Sequence, residues 1–127
     1  MLSSTSKYAL KSIKYIRSQK SDAYYSIDVL SDATDVPREY LAKIVKRLVK
    51  AKILESKKGP CGGIKIHQDA QGKSLYDICL ILEDPITKEK CLVGSTECGV
   101  HGFCHFHETW RPLRERITKF LTNTKIT

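Results

Sequence analysis

Apolar side chains recur at helical spacing near the start of the chain. Ala9, Leu10, Ile13 and Ile16 fall within Ser4 to Arg17, with serine and threonine available as caps. This predicts a first helix that ends near "SQKSD". Ser26 then precedes "IDVLSDA", a short helix in which Ile27, Leu30 and Ala33 share a face. After a break at "TDV", Pro37 opens "PREYLAKIVKRLVKA", where a proline in the first turn costs no hydrogen bond. Tyr40, Leu41, Ile44, Val45 and Leu48 form the predicted buried stripe of that helix. Lys43, Lys46, Arg47 and Lys50 lie largely off it.

A short helix, a tight turn and a longer basic helix make a helix-turn-helix. The sequel strengthens this reading. "ILESKKGPCGGIKIHQ" has Ile53 and Leu54 leading into a strand, turn residues in "KKGPCGG", and Ile64 and Ile66 alternating on the return. A basic hairpin directly after such a helix is a wing, and Lys57, Lys58 and Lys65 are placed to reach phosphates or a minor groove beside it. Ser74 next opens "SLYDICLILED", with Asp77 at capping-box spacing, Leu75, Ile78, Cys79 and Leu82 on the apolar side, and Pro85 closing the helix. Finally, Trp110, Leu113, Ile117 and Phe120 or Leu121 mark the seam of a helix that packs lengthwise on another helix, most economically on a second copy of itself. Pro112 interrupts this pattern, so the helix either begins late or kinks there.

Charge turns this outline toward a partner. The net charge of +8 favours polyanions. It is concentrated between Val36 and Lys58, where eight basic residues (Arg38, Lys43, Lys46, Arg47, Lys50, Lys52, Lys57 and Lys58) face only Glu39 and Glu55. Arg38 and Glu39 sit near the helix start as candidates for base edges. Lys43, Lys46 and Arg47 suit phosphates; Tyr40 is a third base-edge candidate by position, but beside Leu41 and Ile44 it reads as core. Composition, 41% apolar and 28% charged, is that of one globular domain. No apolar run approaches the ~20 residues of a membrane span, and lysines interrupt the N-terminal stretch, so the sequence predicts a cytoplasmic chain with no membrane partner. No nucleophile–base constellation or phosphate-binding glycine loop is present, and the isolated "GPCGG" does not make one, so an enzyme is not expected.

The remaining chemistry is in "KCLVGSTECGVHGFCHFHETW", residues 90–110. Three of the five cysteines and three of the four histidines lie there. An odd cysteine count argues against a fully paired disulfide framework. Cys91, Cys98 and Cys104 are separated by six and then five residues, without the Cys-x-x-Cys pair of zinc knuckles. Longer spans with interspersed glycines suit a polynuclear iron–sulfur core. They leave at least one coordination position to be filled, with His101, His105 and His107 close by. Zinc or thiol chemistry at the same residues is the alternative, and an iron–sulfur electron carrier is the alternative of another class. A carrier, however, has no need of the basic helix and wing. Outside this stretch, Cys61 reads as an exposed thiol, Cys79 as a small buried hydrophobe, His67 as an exposed wing-end residue, Asp84 and Glu89 as solvated charges, and Trp110 as dimer-helix core.

Nearly end to end, the chain resembles the Rrf-two family of winged-helix iron–sulfur transcriptional regulators. The match is carried by "SKYAL", "VPREYLAKIVKRLVKAKILESKKGPCGGIKI", "LYDICLILE", the cysteine triplet and the terminal helix. The resemblance implies a homodimer that binds a pseudo-palindromic double-stranded DNA operator. It also implies a 2Fe-2S or 4Fe-4S cluster on Cys91, Cys98 and Cys104, with His107 matching the histidine ligand of the IscR-like branch. In other members an acidic residue near the N-terminus of the partner subunit takes that role; here Lys7 stands at its place. The implied sensing is of redox state, nitric oxide or iron. The expected architecture is mostly α with a small β-hairpin wing: a winged helix-turn-helix over 1–83, a cysteine-rich loop over 84–107, and a long dimerisation helix with a tail over 108–127.

Overall fold

The computed structural model describes residues 2–88 and 107–127. Helix α1, Ser4–Ser18, starts at Ser3, whose hydroxyl accepts the Ser6 N–H. Its buried face carries Ala9, Ile13 and Ile16 together with two serines, Ser6 and Ser12. Helix α2, Ile27–Thr34, is capped by Ser26 and stopped at Asp35, which adopts the left-handed conformation that Asp tolerates. Its inward residues are Leu30 and Thr34, while Ala33 is exposed. The cause is the helical period: Thr34 falls about 20° from Ile27 around the axis, whereas two three-residue steps carry Ala33 about 120° away.

Helix α3 runs Arg38–Lys50, with Pro37 just outside it as N-cap. Leu41, Ile44, Val45 and Leu48 are each no more than 5% exposed and form the inward stripe. Tyr40 is not among them. It is 42% exposed, standing about 100° from Leu41 at the margin of the stripe, so its assignment to the core is corrected. Strands β1, Leu54–Lys57, and β2, Gly63–Ile66, pair antiparallel with Leu54 opposite Ile66 and Lys57 opposite Gly63. Tyr25 adds an isolated antiparallel bridge to Ile64 through two backbone hydrogen bonds of 2.8 and 2.7 Å. This close approach requires glycine next door. A Cβ on Gly63, which sits at φ +148°, would lie 2.6 Å from the Tyr25 carbonyl oxygen.

Helix α4, Leu75–Ile81, begins in the capping box that Ser74 and Asp77 predict. It ends earlier than Pro85 suggests. Glu83 takes a left-handed φ of 56°, and Asp84 then caps a 3-10 turn, Pro85–Thr87. Helix α5, His107–Asn123, contains Pro112 well past its first turn, so the helix does not begin late. The chain then returns to α4: Leu75 N–H donates to the Thr124 carbonyl and Ile126 N–H to the Lys73 carbonyl, each at 2.9 Å. Ile126 completes the core beside Ile13 and Leu82, and Arg17 Nη1 donates to its carbonyl at 2.7 Å. One hydrophobic cluster thus joins α1–α4, the hairpin and the tail.

Candidate nucleic-acid interface and cysteine segment

Packing the inward stripe of α3 leaves Arg38, Glu39, Lys43, Lys46, Arg47 and Lys50 on the outer surface. They are not equivalent. Arg38 Nε is paired with the Asp28 carboxylate, tying the start of α3 to α2 across the turn. Arg47 Nη2 donates to the Ile81 carbonyl at 2.9 Å and lies 3.8 Å from the Glu83 carboxylate, so it ties α3 to the end of α4. Lys43, Lys46 and Lys50 carry no ion pair among the described residues.

The wing shows the same division. Lys57 and Lys58 are exposed near its tip, with Lys57 Nζ 5.7 Å from the centre of the Tyr24 ring. Lys65 is instead held at the base of the hairpin, 3.2 Å from Asp22, 3.4 Å from Glu55 and 4.9 Å from the same ring centre. The Asp22 hydrogen bond, joined by Glu55, raises the Lys65 ammonium above its ordinary value against a smaller opposing effect of desolvation. Tyr24 escaped the sequence reading because its role is a cation–π platform for two lysines far along the chain. His67 is half-buried rather than exposed. Its Nδ1 accepts the Asp69 N–H at 2.9 Å and caps the 3-10 turn Gln68–Ala70.

At the other end of the domain, Asp84 is buried, at 1% exposure, and is not the solvated charge its sequence position suggested. Its Oδ2 accepts the Ser3 N–H at 2.9 Å and its Oδ1 the Ile86 N–H at 3.0 Å. Burial pushes this carboxyl up, but hydrogen bonds from Ile86, Ser6 and Ser3 outweigh burial and hold it below the usual carboxylate range. Such a group stabilises the fold at neutral pH, and its contribution fades as pH falls below the unfolded value toward the folded one. The available signal was local: Asp-Pro is a cap followed by a first-turn proline. Cys79 is buried beside it as expected. Burial first, and then the Asp84 charge, push its thiol up, leaving it protonated and unreactive at neutral pH. Cys61 is exposed at the wing tip.

Cys91, Cys98 and Cys104, with Glu89, His101 and His105, lie outside the described residues. His107 is the first residue of α5. Among the described residues no group of three or more His, Cys, Asp or Glu side chains could hold a metal ion. On α5, Leu113 is 47% and Phe120 61% exposed, while Trp110 and Ile117 are half-buried. Leu121 is 3% exposed and belongs to the chain's own interior, so it is removed from the expected intersubunit seam. A groove of about 640 Å³ runs between α5 and residues Leu2, Leu75 and Ile86, and among the described residues Arg116 is the only charged one lining it. No described helix is long and apolar enough to cross a membrane.

Known proteins share this fold. The profile of the Rrf2 family, described as iron-dependent transcriptional regulators, matches residues 2–127. A protein of Aquifex aeolicus (strain VF5), assigned by name to the HTH-type transcriptional regulators, is 27% identical over 128 residues, covering 99% of this chain and 88% of its own. The HTH-type transcriptional regulator IscR of Vibrio vulnificus (strain YJ016) is 27% identical over 122 residues, 96% of this chain and 72% of that one. Among solved structures, CymR of B. subtilis, the global cysteine regulator, superposes with a TM-score of 0.79 at 18% identity, over 99% of this chain and 92% of that one. T. potens IscR does so with a TM-score of 0.73 at 17% identity, over 99% and 82%. The structural likenesses establish the winged-helix fold, and the family profile and named relatives establish control of transcription through DNA rather than enzymic catalysis. The chain belongs to the Rrf2 family of iron-dependent transcriptional regulators.

Proposed function

We propose that this regulator works as a homodimer on a pseudo-palindromic operator. In this reading it reports redox state, nitric oxide or iron supply through an iron–sulfur cluster held by Cys91, Cys98, Cys104 and His107. The observation that carries the reading is the donor set. Three thiols within fourteen residues, followed three residues later by the histidine that opens α5, supply the soft ligands a cluster takes, in a chain of an iron-dependent family. The cysteines and the histidine outside this stretch are committed elsewhere: Cys79 is buried and protonated, Cys61 is on the wing tip, and His67 uses Nδ1 as a cap. When bound, the cluster supplies a centre that oxidants and nitric oxide attack.

The chain's own residues do the rest. Arg38, Glu39 and Tyr40 stand at the end of α3 that enters a major groove, and Lys43 and Lys46 are free for phosphates. Arg47 and Lys65 chiefly hold the reading elements in place. The two α5 helices pair through Trp110, Leu113, Ile117 and Phe120, and the apolar groove beside them receives the second copy.

The test compares anaerobically prepared cluster-loaded protein with the same protein after cluster removal, on one operator. A change in affinity is expected, and equal affinity overturns the sensing reading. A colourless, zinc-containing preparation would replace the cluster with the zinc alternative. The division among the lysines gives a separate expectation. Lys43→Ala and Lys46→Ala should each reduce the slope of log affinity against log salt by roughly 1.8, the loss of one phosphate contact in each subunit of the dimer. Lys65→Ala should leave that slope unchanged, because its ammonium is already occupied by Asp22 and Glu55. A titration of operator binding between low and moderate salt measures all three.

A further inference from the structure

A buried polar cluster lies under the start of α1, formed by Ser3, Ser6, Cys79 and Asp84, all but half-buried Ser3 almost fully enclosed. Asp84 reaches Ser3 across 81 positions of sequence, and Ser3 caps α1. In the first turn of α1, the Thr5 hydroxyl and the Tyr40 phenol are 2.8 Å apart, and the Tyr8 ring meets the Tyr40 ring edge-on at 5.4 Å between centroids. Tyr40 lies in the first turn of α3, beside Arg38 and Glu39. An unbroken series of short contacts therefore links the turn after α4 to the reading end of α3. The same stretch holds α3 at a second point, where Arg47 donates to the Ile81 carbonyl at the end of α4.

We propose that Asp84 is a positioning residue for DNA reading: by anchoring the start of α1 it sets Tyr40 and the first turn of α3. It thereby transmits to the reading end whatever alters the cysteine segment that follows it. The second half rests on the sensing reading above; the first does not. The carboxylate suits the task because it sits at the positive end of α1 and accepts a donor that would otherwise be left without a partner. A shift of about 1 Å at this end takes a 2.8 Å hydroxyl contact beyond hydrogen-bonding range. Packed elements then move between discrete arrangements rather than yielding gradually.

Two full-length variants test this. Asp84→Asn leaves Oδ1 to accept from Ile86 but turns an amide toward the Ser3 N–H. Thr5→Val cuts the contact with Tyr40 while leaving Asp84 and Ser3 intact, and it decides the matter if Asp84→Asn does not fold. In both, amide hydrogen exchange over 41–44, the first N–H groups that α3 holds in hydrogen bonds, is expected to quicken roughly fivefold, the net worth of about one hydrogen bond. Exchange in β1 and β2 should stay at the wild-type rate. Operator affinity should fall by a similar factor with the salt slope unchanged, since no phosphate contact is lost. The proposal is overturned if Asp84→Asn loosens the start of α1 while exchange over 41–44 and operator affinity match the wild type. A wild-type chain whose affinity ignores the cluster would overturn the sensing reading and the transmission that depends on it. The exchange rates would still decide the positioning role.

Discussion

A chain in which Cys91, Cys98 and Cys104 are all replaced by serine is expected to purify anaerobically without iron, inorganic sulfide or visible absorption. A serine hydroxyl stays protonated at neutral pH and offers a hard oxygen where the cluster takes soft thiolate. The loss should exceed the roughly 10–100-fold cost of disturbing outer-shell partners of a metal. Its operator affinity should equal that of cluster-free wild type and ignore nitric oxide. Cys61→Ser and Cys79→Ser are the controls. The first changes an exposed wing thiol and the second a buried one, so both should keep wild-type iron. Wild-type iron content in the triple variant would refute the ligand assignment, and unaltered nitric oxide response would remove the cysteines from sensing.

Placing aspartate at both Leu113 and Phe120 should halve the mass measured by sedimentation or light scattering while leaving a folded chain. Both side chains are well exposed on a single subunit, so charge there is tolerated in the monomer. Across an apolar joint, the same carboxylates would be buried opposite one another without partners. Operator affinity should then fall by about 10²–10⁴-fold, because two linked half-sites are reduced to independent ones. Affinity for an isolated half-site should change little. Leu121 is no substitute for either residue: a charge there would enter the subunit's own interior and test folding instead. If mass and affinity both stayed at wild-type values, α5 would not be the joint.

Local chemistry explains which parts of this molecule could be read in advance. Ser26 ahead of α2, the Ser74–Asp77 box ahead of α4, and the alternating Ile64 and Ile66 of the wing are governed by residues within four positions of each other. Errors arose where a residue's surroundings come from far away. Tyr40 looks like core beside Leu41, yet its partners Thr5 and Tyr8 lie on α1, which leaves it half in solvent. Asp84 looks solvated because it flanks the entrance to the cysteine segment, yet Ser3 and Ser6, some eighty positions away, help to enclose it. Ala33 reads as part of the inner face of α2, but two three-residue steps carry it off that face and Thr34, which belongs to the helix rather than to the break after it, is buried instead. For the cluster site itself, residue type and spacing carry the whole of the reading, since the three cysteines lie outside the described residues.

The bridge between Tyr25 and Ile64 has a consequence for how a duplex is met. Because the returning strand is paired with Leu54–Lys57 on one edge and bonded to Tyr25 on the other, the hairpin cannot swing independently of the body that carries α3. Even its tip is tightly folded, since a Cβ on Gly62 would collide with the Lys57 carbonyl oxygen at 2.0 Å. Binding therefore immobilises little main chain. If the wing meets DNA as proposed, the ordering penalty falls on the flexible stems of Lys57 and Lys58, at about 0.5–1.5 kcal/mol for each one stilled, and its shape is set before contact rather than moulded by it.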